Sequence, residues 1–256
     1  ALVARHASLR ARFRHAHLGR PVQVILPQAT APWRCIDLSA LDEAGREERL
    51  AAVLAQERAE RFDLADAPLI RFALIRLAAD RHRLVLTNHH IVMDGWSMPV
   101  LVRELLTLYA HRADAAALPR VTPYRDYLAW AAAQDRTGAL AAWRDALAGL
   151  EEATRLAPHD PGREPVAPEQ TRLALSEPLT AALTAQARRH GLTLNTVIQT
   201  AWAILLGRLT GREDVVFGVT VAGRPPEVAG IENMVGLFIN TLPLRVQLPP
   251  GTALLE

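Results

Sequence analysis

The chain has 256 residues, half of them hydrophobic and 22% charged, a globular composition large enough to bury a core in two lobes or in one large α/β domain. Its 29 basic residues, every one an arginine, face 27 acids for a formal charge of +2, and they form no run that would track a phosphate backbone, so nucleic acid is excluded as a partner. No apolar stretch approaches the roughly 20 residues that span a bilayer, no signal-peptide pattern follows the arginines of residues 1–14, and the lone cysteine, Cys35, has no disulfide or metal-ligand partner nearby, so the chain reads as cytoplasmic.

In chain order, Ala1–Ala7 reads as the end of a helix. Leu9–Leu18 and Val22–Leu26 read as strands around the turn Gly19-Arg20-Pro21. Leu41–Phe62, with alternating acids and arginines and with Leu50, Val53 and Leu54 at helical spacing, predicts an amphipathic helix whose charges face solvent. Leu69–Leu77 and His82–Asn88 are branched apolar runs around Ala78-Ala79-Asp80-Arg81, a hairpin of buried strands. From Trp96 to Arg112 the residues Val100, Leu101, Leu105 and Leu108 recur at helical intervals, so a strand hands over to a helix through a short loop. Tyr124–Leu150 is a further helical stretch, and Ala157–Gln170, with four prolines, is a linker. Beyond it come a strand near Thr171–Leu175, helices near Leu179–His190 and Asn195–Leu209, and strands at Val215–Val221 and Thr241–Val246. There is no internal repeat.

The strand-to-helix loop Asn88-His89-His90-Ile91-Val92-Met93-Asp94-Gly95-Trp96-Ser97 gathers two histidines, an acid and a glycine. An imidazole changes charge near neutral pH, so one of the two rings is a candidate general base, a role worth roughly 10² to 10⁴ in rate. Asp94 is placed to fix the loop or orient a ring, and Gly95 to take backbone torsions that other residues resist or to let a substrate approach. A metal site lacks a third ligand and an HExxH pattern. A Ser-His-Asp hydrolase lacks its Gly-x-Ser-x-Gly elbow, so direct transfer between donor and acceptor fits better than a covalent enzyme intermediate. Ser97 reads as a capping or first-turn hydroxyl, and Trp96, Trp130, Trp143 and Trp202 as residues packed in the core or at lobe contacts.

The string His89-His90-Ile91-Val92-Met93-Asp94-Gly95 is an HHxxxDG signature and resembles that of condensation domains in nonribosomal peptide synthetases, within the chloramphenicol acetyltransferase-like superfamily. Three further segments resemble that family in its order: Arg5-His6-Ala7-Ser8-Leu9-Arg10, Tyr124-Arg125-Asp126-Tyr127-Leu128-Ala129-Trp130, and Val219–Arg224 followed by Val235–Arg245. The resemblance implies a mixed α/β (α+β) fold of two acetyltransferase-like lobes, the second incomplete. The first lobe would span residues 1–156, the linker 157–170, and the opening part of the second lobe 171–256.

The resemblance also implies a function. Carrier proteins on either side would deliver an acyl or peptidyl thioester donor and an aminoacyl acceptor on phosphopantetheine arms, with no cofactor held by the domain itself and an adenylation domain in the same synthetase. His90 would be the catalytic or positioning histidine, His89 structural, Asp94 paired with Arg224, and Gly95 and Asn240 supports of the site. Met93 and the wording of Gly236–Asn240 resemble domains that take a D-configured donor terminus and an L-acceptor. Competing readings are an epimerisation domain, a free-standing ester-forming acyltransferase, and a condensation-like recruitment module without catalysis. The run Gly95-Trp96-Ser97 and the intact histidine pair favour the condensing enzyme.

Overall fold

Short apolar runs separated by arginine- and acid-rich helices must find non-local partners to bury their backbones, and the arrangement that results is mixed helix and strand. The computed structural model describes residues 1–15, 19–158, 160, 162, 166 and 169–251. By internal contacts the chain forms two units, one of Ala1–Gln134 with Ala222–Asn240 and one of Asp135–Val221 with Thr241–Glu256. This grouping is not the linear division at 157–170 read from the sequence, because residues 222–240 return to the first unit.

In the first unit, α1 (Leu2–Arg5) and a 3-10 turn at Ala7–Arg10 lead into β1 (Ala11–Arg14), which pairs antiparallel with β2 (Val22–Ile25). The predicted strand from Leu9 therefore starts two residues late, since Leu9 and Arg10 belong to the turn; its last three positions, 16–18, lie outside the described residues. The motif residues here are structural. His6 Nε2 lies 2.7 Å from Glu104 Oε2, and Arg5 Nε donates to the same oxygen at 3.1 Å.

A second sheet has the order β3 (Trp33–Asp37), β4 (Ile70–Arg76), β5 (His82–Asn88). β3 pairs parallel with β4, and β4 antiparallel with β5 through the expected hairpin, but only β4 is buried: β5, at the edge of the sheet, has no buried residue. The sequence pattern does not predict β3. Five residues carrying a cysteine and a terminal aspartate give little strand signal, and the partner that makes them a strand, β4, begins 33 residues after β3 ends. Between them runs α2 (Glu43–Ala59), capped by Asp42, whose Oδ1 accepts the Gly45 amide at 2.9 Å.

Val53 of α2 packs with Leu38 and Ile75 against the sheet. One of this helix's charges is not on its solvent face as predicted: Glu57 is 3% exposed. Its Oε2 accepts from Arg71 Nε at 2.8 Å and from Thr87 Oγ1 at 3.2 Å, and Arg34 meets its Oε1. Arg71 also donates to the Glu57 and Glu60 carbonyls at 2.7 and 2.8 Å, closing the C-terminal end of α2, and lies 4.4 Å over the Phe62 ring. Burial pushes the Glu57 carboxyl up, but the hydrogen bonds from Arg71 and Arg34 outweigh it and the net shift is downward.

After the histidine loop come α3 (Ser97–Ala110) and α4 (Tyr124–Ala132). The stretch predicted as one helix to Leu150 breaks after α4 and resumes as α5 (Arg136–Ala146) in the second unit. The break is at Asp135, whose Oδ1 accepts the Thr137 and Gly138 amides at 3.0 Å and so starts a new helix.

The second unit continues with α6 (Glu177–Arg189), α7 (Leu194–Thr210), β6 (Asp214–Val221) and, but for its first residue, β7 (Asn240–Gln247), the last two hydrogen-bonded to each other. Arg245 binds Asp214 with Nε and Nη2, at 3.0 and 2.6 Å, and holds the Ala148 carbonyl at 2.7 Å. The strand predicted at 171–175 is absent: those residues pair with nothing among the described strands, and Leu173 is 86% exposed. Trp96, Trp143 and Trp202 are also exposed rather than core residues, while Trp130 packs as expected beside Tyr127.

Removing one partner from a buried charge pair costs about 3–5 kcal/mol. Glu57→Ala is therefore expected to lower the unfolding free energy by about that amount in equilibrium urea titration, since Arg71, 7% exposed, loses its counter-charge. A loss comparable to that of an exposed charge would show that Arg71 is neutralised otherwise.

Candidate active site

β5 ends at Asn88, and the chain turns at once. The His89 amide donates to the Leu69 carbonyl at 3.0 Å, which keeps the loop on the sheet for one more bond. His89 Nδ1 accepts the Ile91 amide at 3.1 Å and caps the 3-10 turn His90–Val92. That bond needs an unprotonated Nδ1, so the neutral ring carries its proton on Nε2. Val92 and Met93, each 1% exposed, sink into the core with Leu9, Leu69 and Leu101. His90 is thus the exposed first residue of a turn whose neighbours are anchored.

Asp94 closes the turn. It is 2% exposed, and both of its oxygens are engaged. Oδ1 accepts the Ser97 amide at 3.0 Å and the Ser97 hydroxyl lies 2.9 Å from it; Arg224 Nη2 approaches the same oxygen at 3.3 Å; Oδ2 accepts the Phe238 amide at 3.0 Å. Burial pushes this carboxyl up, yet the Phe238 amide, the two Ser97 bonds and the Arg224 charge together hold its pKa below the ordinary aspartate value.

Arg224 is held as tightly. Its side chain is 6% exposed, Nη1 donates to the Met234 carbonyl at 3.1 Å and to that of Ile231, and its guanidinium carbon lies 3.8 Å from the centre of the Phe238 ring. Burial lowers its pKa, against the pull of Asp94; a guanidinium stays charged throughout.

Both partners meet a strap without regular structure, residues 235–238, whose carbonyls are held by two side chains and one backbone amide from elsewhere in the unit. Ser8 Oγ donates to Val235 O at 2.8 Å, Asp94 N to Gly236 O at 3.0 Å, and Tyr124 Oη to Leu237 O at 2.6 Å. Losing its proton would cost Tyr124 this bond inside a buried ring cluster, and burial pushes the phenol up to about 12. Two glycines let the backbones come this close. A β-carbon on Gly236 would overlap the Tyr124 ring, and one on Gly223, already at φ +58°, would overlap the Phe238 carbonyl.

Gly95, expected to use glycine's torsional freedom, does not: its φ is not positive, and a β-carbon there would meet open space. Asn240, two residues beyond Phe238, is the exposed first residue of β7. Among the described residues no group of three histidine, cysteine, aspartate or glutamate side chains is placed to hold a metal ion. The hydroxyl of Ser97 is wholly buried and engaged with four groups, so it is no nucleophile. The sequence alone suggests a simple cap there and does not join it to the strap; the spacing Asp94-x-x-Ser97 is the signal available for its bond to Asp94.

The condensation-domain family model matches residues 1–256. Tyrocidine synthase 2 of Brevibacillus parabrevis is 36% identical over 258 residues, covering 100% of this chain and 7% of that protein. Bacitracin synthase 1 of Bacillus licheniformis is 34% identical over 249 residues, covering 96% of this chain and 5% of that protein. Among solved structures, the SgcC5 protein of Streptomyces globisporus matches with TM-score 0.78 and 30% identity over 98% of this chain and 58% of its own. The first condensation domain of the calcium-dependent antibiotic synthetase, bound to a substrate analogue, matches with TM-score 0.76 and 29% identity over 99% of this chain and 61% of its own. The chain thus spans about three fifths of those solved chains and a few per cent of the curated relatives. The fold is the chloramphenicol acetyltransferase-like one those structures share.

Because the Asp94 pKa is lower in the folded chain, its ionised form stabilises the fold at all pH above the unfolded value of about 3.9. That contribution disappears as the pH drops through the lower folded value. In thermal melts from pH 7 to 3, wild type is expected to lose stability relative to Asp94→Asn below about pH 4. At neutral pH Asp94→Ala should cost about 3–5 kcal/mol. Parallel pH profiles for wild type and Asp94→Asn would remove the carboxylate from the account.

Proposed function

The chain belongs to the condensation-domain family, and we propose that it forms the amide bond between two carrier-bound substrates in a nonribosomal peptide synthetase. The observation that carries this reading is the contrast at the turn. His89, Val92, Met93 and Asp94 are committed to holding the loop, while His90 among them is exposed and open to a substrate.

In the reaction, the amine of the acceptor attacks the carbonyl carbon of the donor thioester. A carbon–nitrogen bond forms, the carbon–sulfur bond breaks, and the thiolate of the donor arm leaves and is protonated. His90 accepts the proton that the attacking nitrogen must lose, or holds that nitrogen on line. The first of these is worth roughly 10² to 10⁴ in rate. The saturated hydroxyl of Ser97 supports direct transfer with no acyl-enzyme.

His89 serves as the cap of the turn, Asp94 and Arg224 as its charged clasp, Gly95 as open backbone at its edge, and Asn240 as a support from the start of β7. Both substrates arrive on phosphopantetheine arms of carrier domains, and the domain needs no cofactor of its own. An adenylation domain of the same synthetase loads the acceptor in the cytoplasm. Among the described residues no helix is long and apolar enough to cross a membrane. The resemblance at Met93 and Gly236–Asn240 supports a D-configured donor terminus and an L-acceptor. Met93 and Phe238 are each 1% exposed, so their part in any such preference acts through the packing of the loop, whereas Asn240 is exposed.

The test uses the complete parent protein with its neighbouring carriers, chemically loaded, and follows the acceptor carrier by intact mass. Wild type is expected to add the donor mass to the acceptor arm, and His90→Ala to slow this about 10²- to 10⁴-fold. Equal rates would remove His90 from the mechanism. An epimerised donor with no amide would replace condensation by α-proton abstraction.

A further inference from the structure

We propose that Ser97 is a positioning residue, the hub that sets the His90 loop against the 235–238 strap; the inference rests on the condensation reading for its catalytic consequence only. A hydroxyl that merely starts a helix accepts an amide from that helix. Ser97 does not: Asp94 Oδ1 takes the amide at the start of α3, and the Ser97 oxygen is turned to other parts of the chain.

The accounting at that one atom is complete. Gly236 N donates to it at 3.1 Å and Arg224 Nη2 at 3.2 Å, which fills both lone pairs. Its single proton has two acceptors at 2.9 Å, Asp94 Oδ1 and Gly236 O. Gly236 O already holds the Asp94 amide, and a carboxylate is the stronger acceptor, so the proton goes to Asp94. A wholly buried atom thus joins the acid of the loop, the arginine that neutralises it, and a strap 139 residues further on.

Asp94 and Arg224 alone do not replace it. Their direct contact is the longest in the cluster at 3.3 Å, and Arg224 donates instead to the Ile231 and Met234 carbonyls, short of Gly236. Without the hydroxyl, the Gly236 amide and one guanidinium N–H are left in a dry pocket with no acceptor, and the strap shifts to find one. The loop follows the strap because Asp94 is bonded to it through Gly236 O and the Phe238 amide. Misplacing a reacting group by about 1 Å can cost 10²-fold in rate.

Ser97→Ala in the complete parent protein is the test, with single-turnover amide formation measured at a temperature where the variant is folded. The expected result is a rate about 10²-fold below wild type with an unchanged KM for the acceptor carrier. Hydrogen exchange should also quicken at the Gly236 and Phe238 amides and stay as in wild type in the β3–β4 pair. If Ser97→Ala does not fold, Ser97→Cys, which keeps the shape and weakens both donor and acceptor, takes its place under the same criteria. A wild-type rate, or kcat and KM worsening together in step with the folded fraction, would overturn the proposal. Should wild type itself form no amide, the condensation reading falls, while exchange at Gly236 and Phe238 still decides whether Ser97 is the hub.

Discussion

The constraint on which the rest of the first unit depends is a carboxylate without water. Asp94 is 2% exposed and ionised, and such a group is tolerated only when paired and fully hydrogen-bonded. Its own neighbourhood supplies Ser97 and nothing more. The cation and the last amide come from residues 224 and 238, so the chain must leave for the second unit and return. The same solution recurs at Glu104, met by Arg5 and His6, and at Glu57, met by Arg34 and Arg71. In a chain without lysine, the arginine fork is the device that lets acids go inside.

That arrangement also explains a division of labour within eight residues. A general base has to meet its substrate in a reproducible place, which requires a stiff support and a free ring. His89 spends its ring on the Ile91 amide, Val92 and Met93 spend their side chains on the core, and Asp94 clasps the strap. His90 is left over. The loop is therefore anchored through everything except the residue that the proposed chemistry uses, and substitutions around His90 act on where its ring is held.

How much of this is legible in the sequence depends on distance along the chain. The hairpin of β4 and β5, the helix α2 and the histidine loop are local patterns of period two, period 3.6 and turn residues, and their bounds are predicted nearly correctly. What fails needs a partner from elsewhere. Strand β3 exists because β4 lies beside it in parallel, and residues 171–175 stay irregular because no described strand does the same for them. Buried Glu57 is indistinguishable from its solvated neighbours on α2 until the sheet brings Arg71 beneath it. At the site, the pairing of Asp94 with Arg224 is suggested by resemblance alone, since nothing local in either segment names the other. Ser97 looks like a plain cap for the same reason: the two donors that fill its lone pairs lie 127 and 139 residues away.

Those separations have a consequence for the order of events on the ribosome. Asp94 leaves the exit tunnel 130 residues before Arg224 and 144 before Phe238. At about 5–20 residues per second, the interval is on the order of ten seconds. During it the β4–β5 pairing is complete, but Asp94 has no cation, the start of α3 has no strap and Arg103 has no Asn233. The cradle of the histidine turn is consequently among the last features of the unit to set. Translation of residues 222–240, rather than of the signature itself, is the moment at which the site acquires its shape.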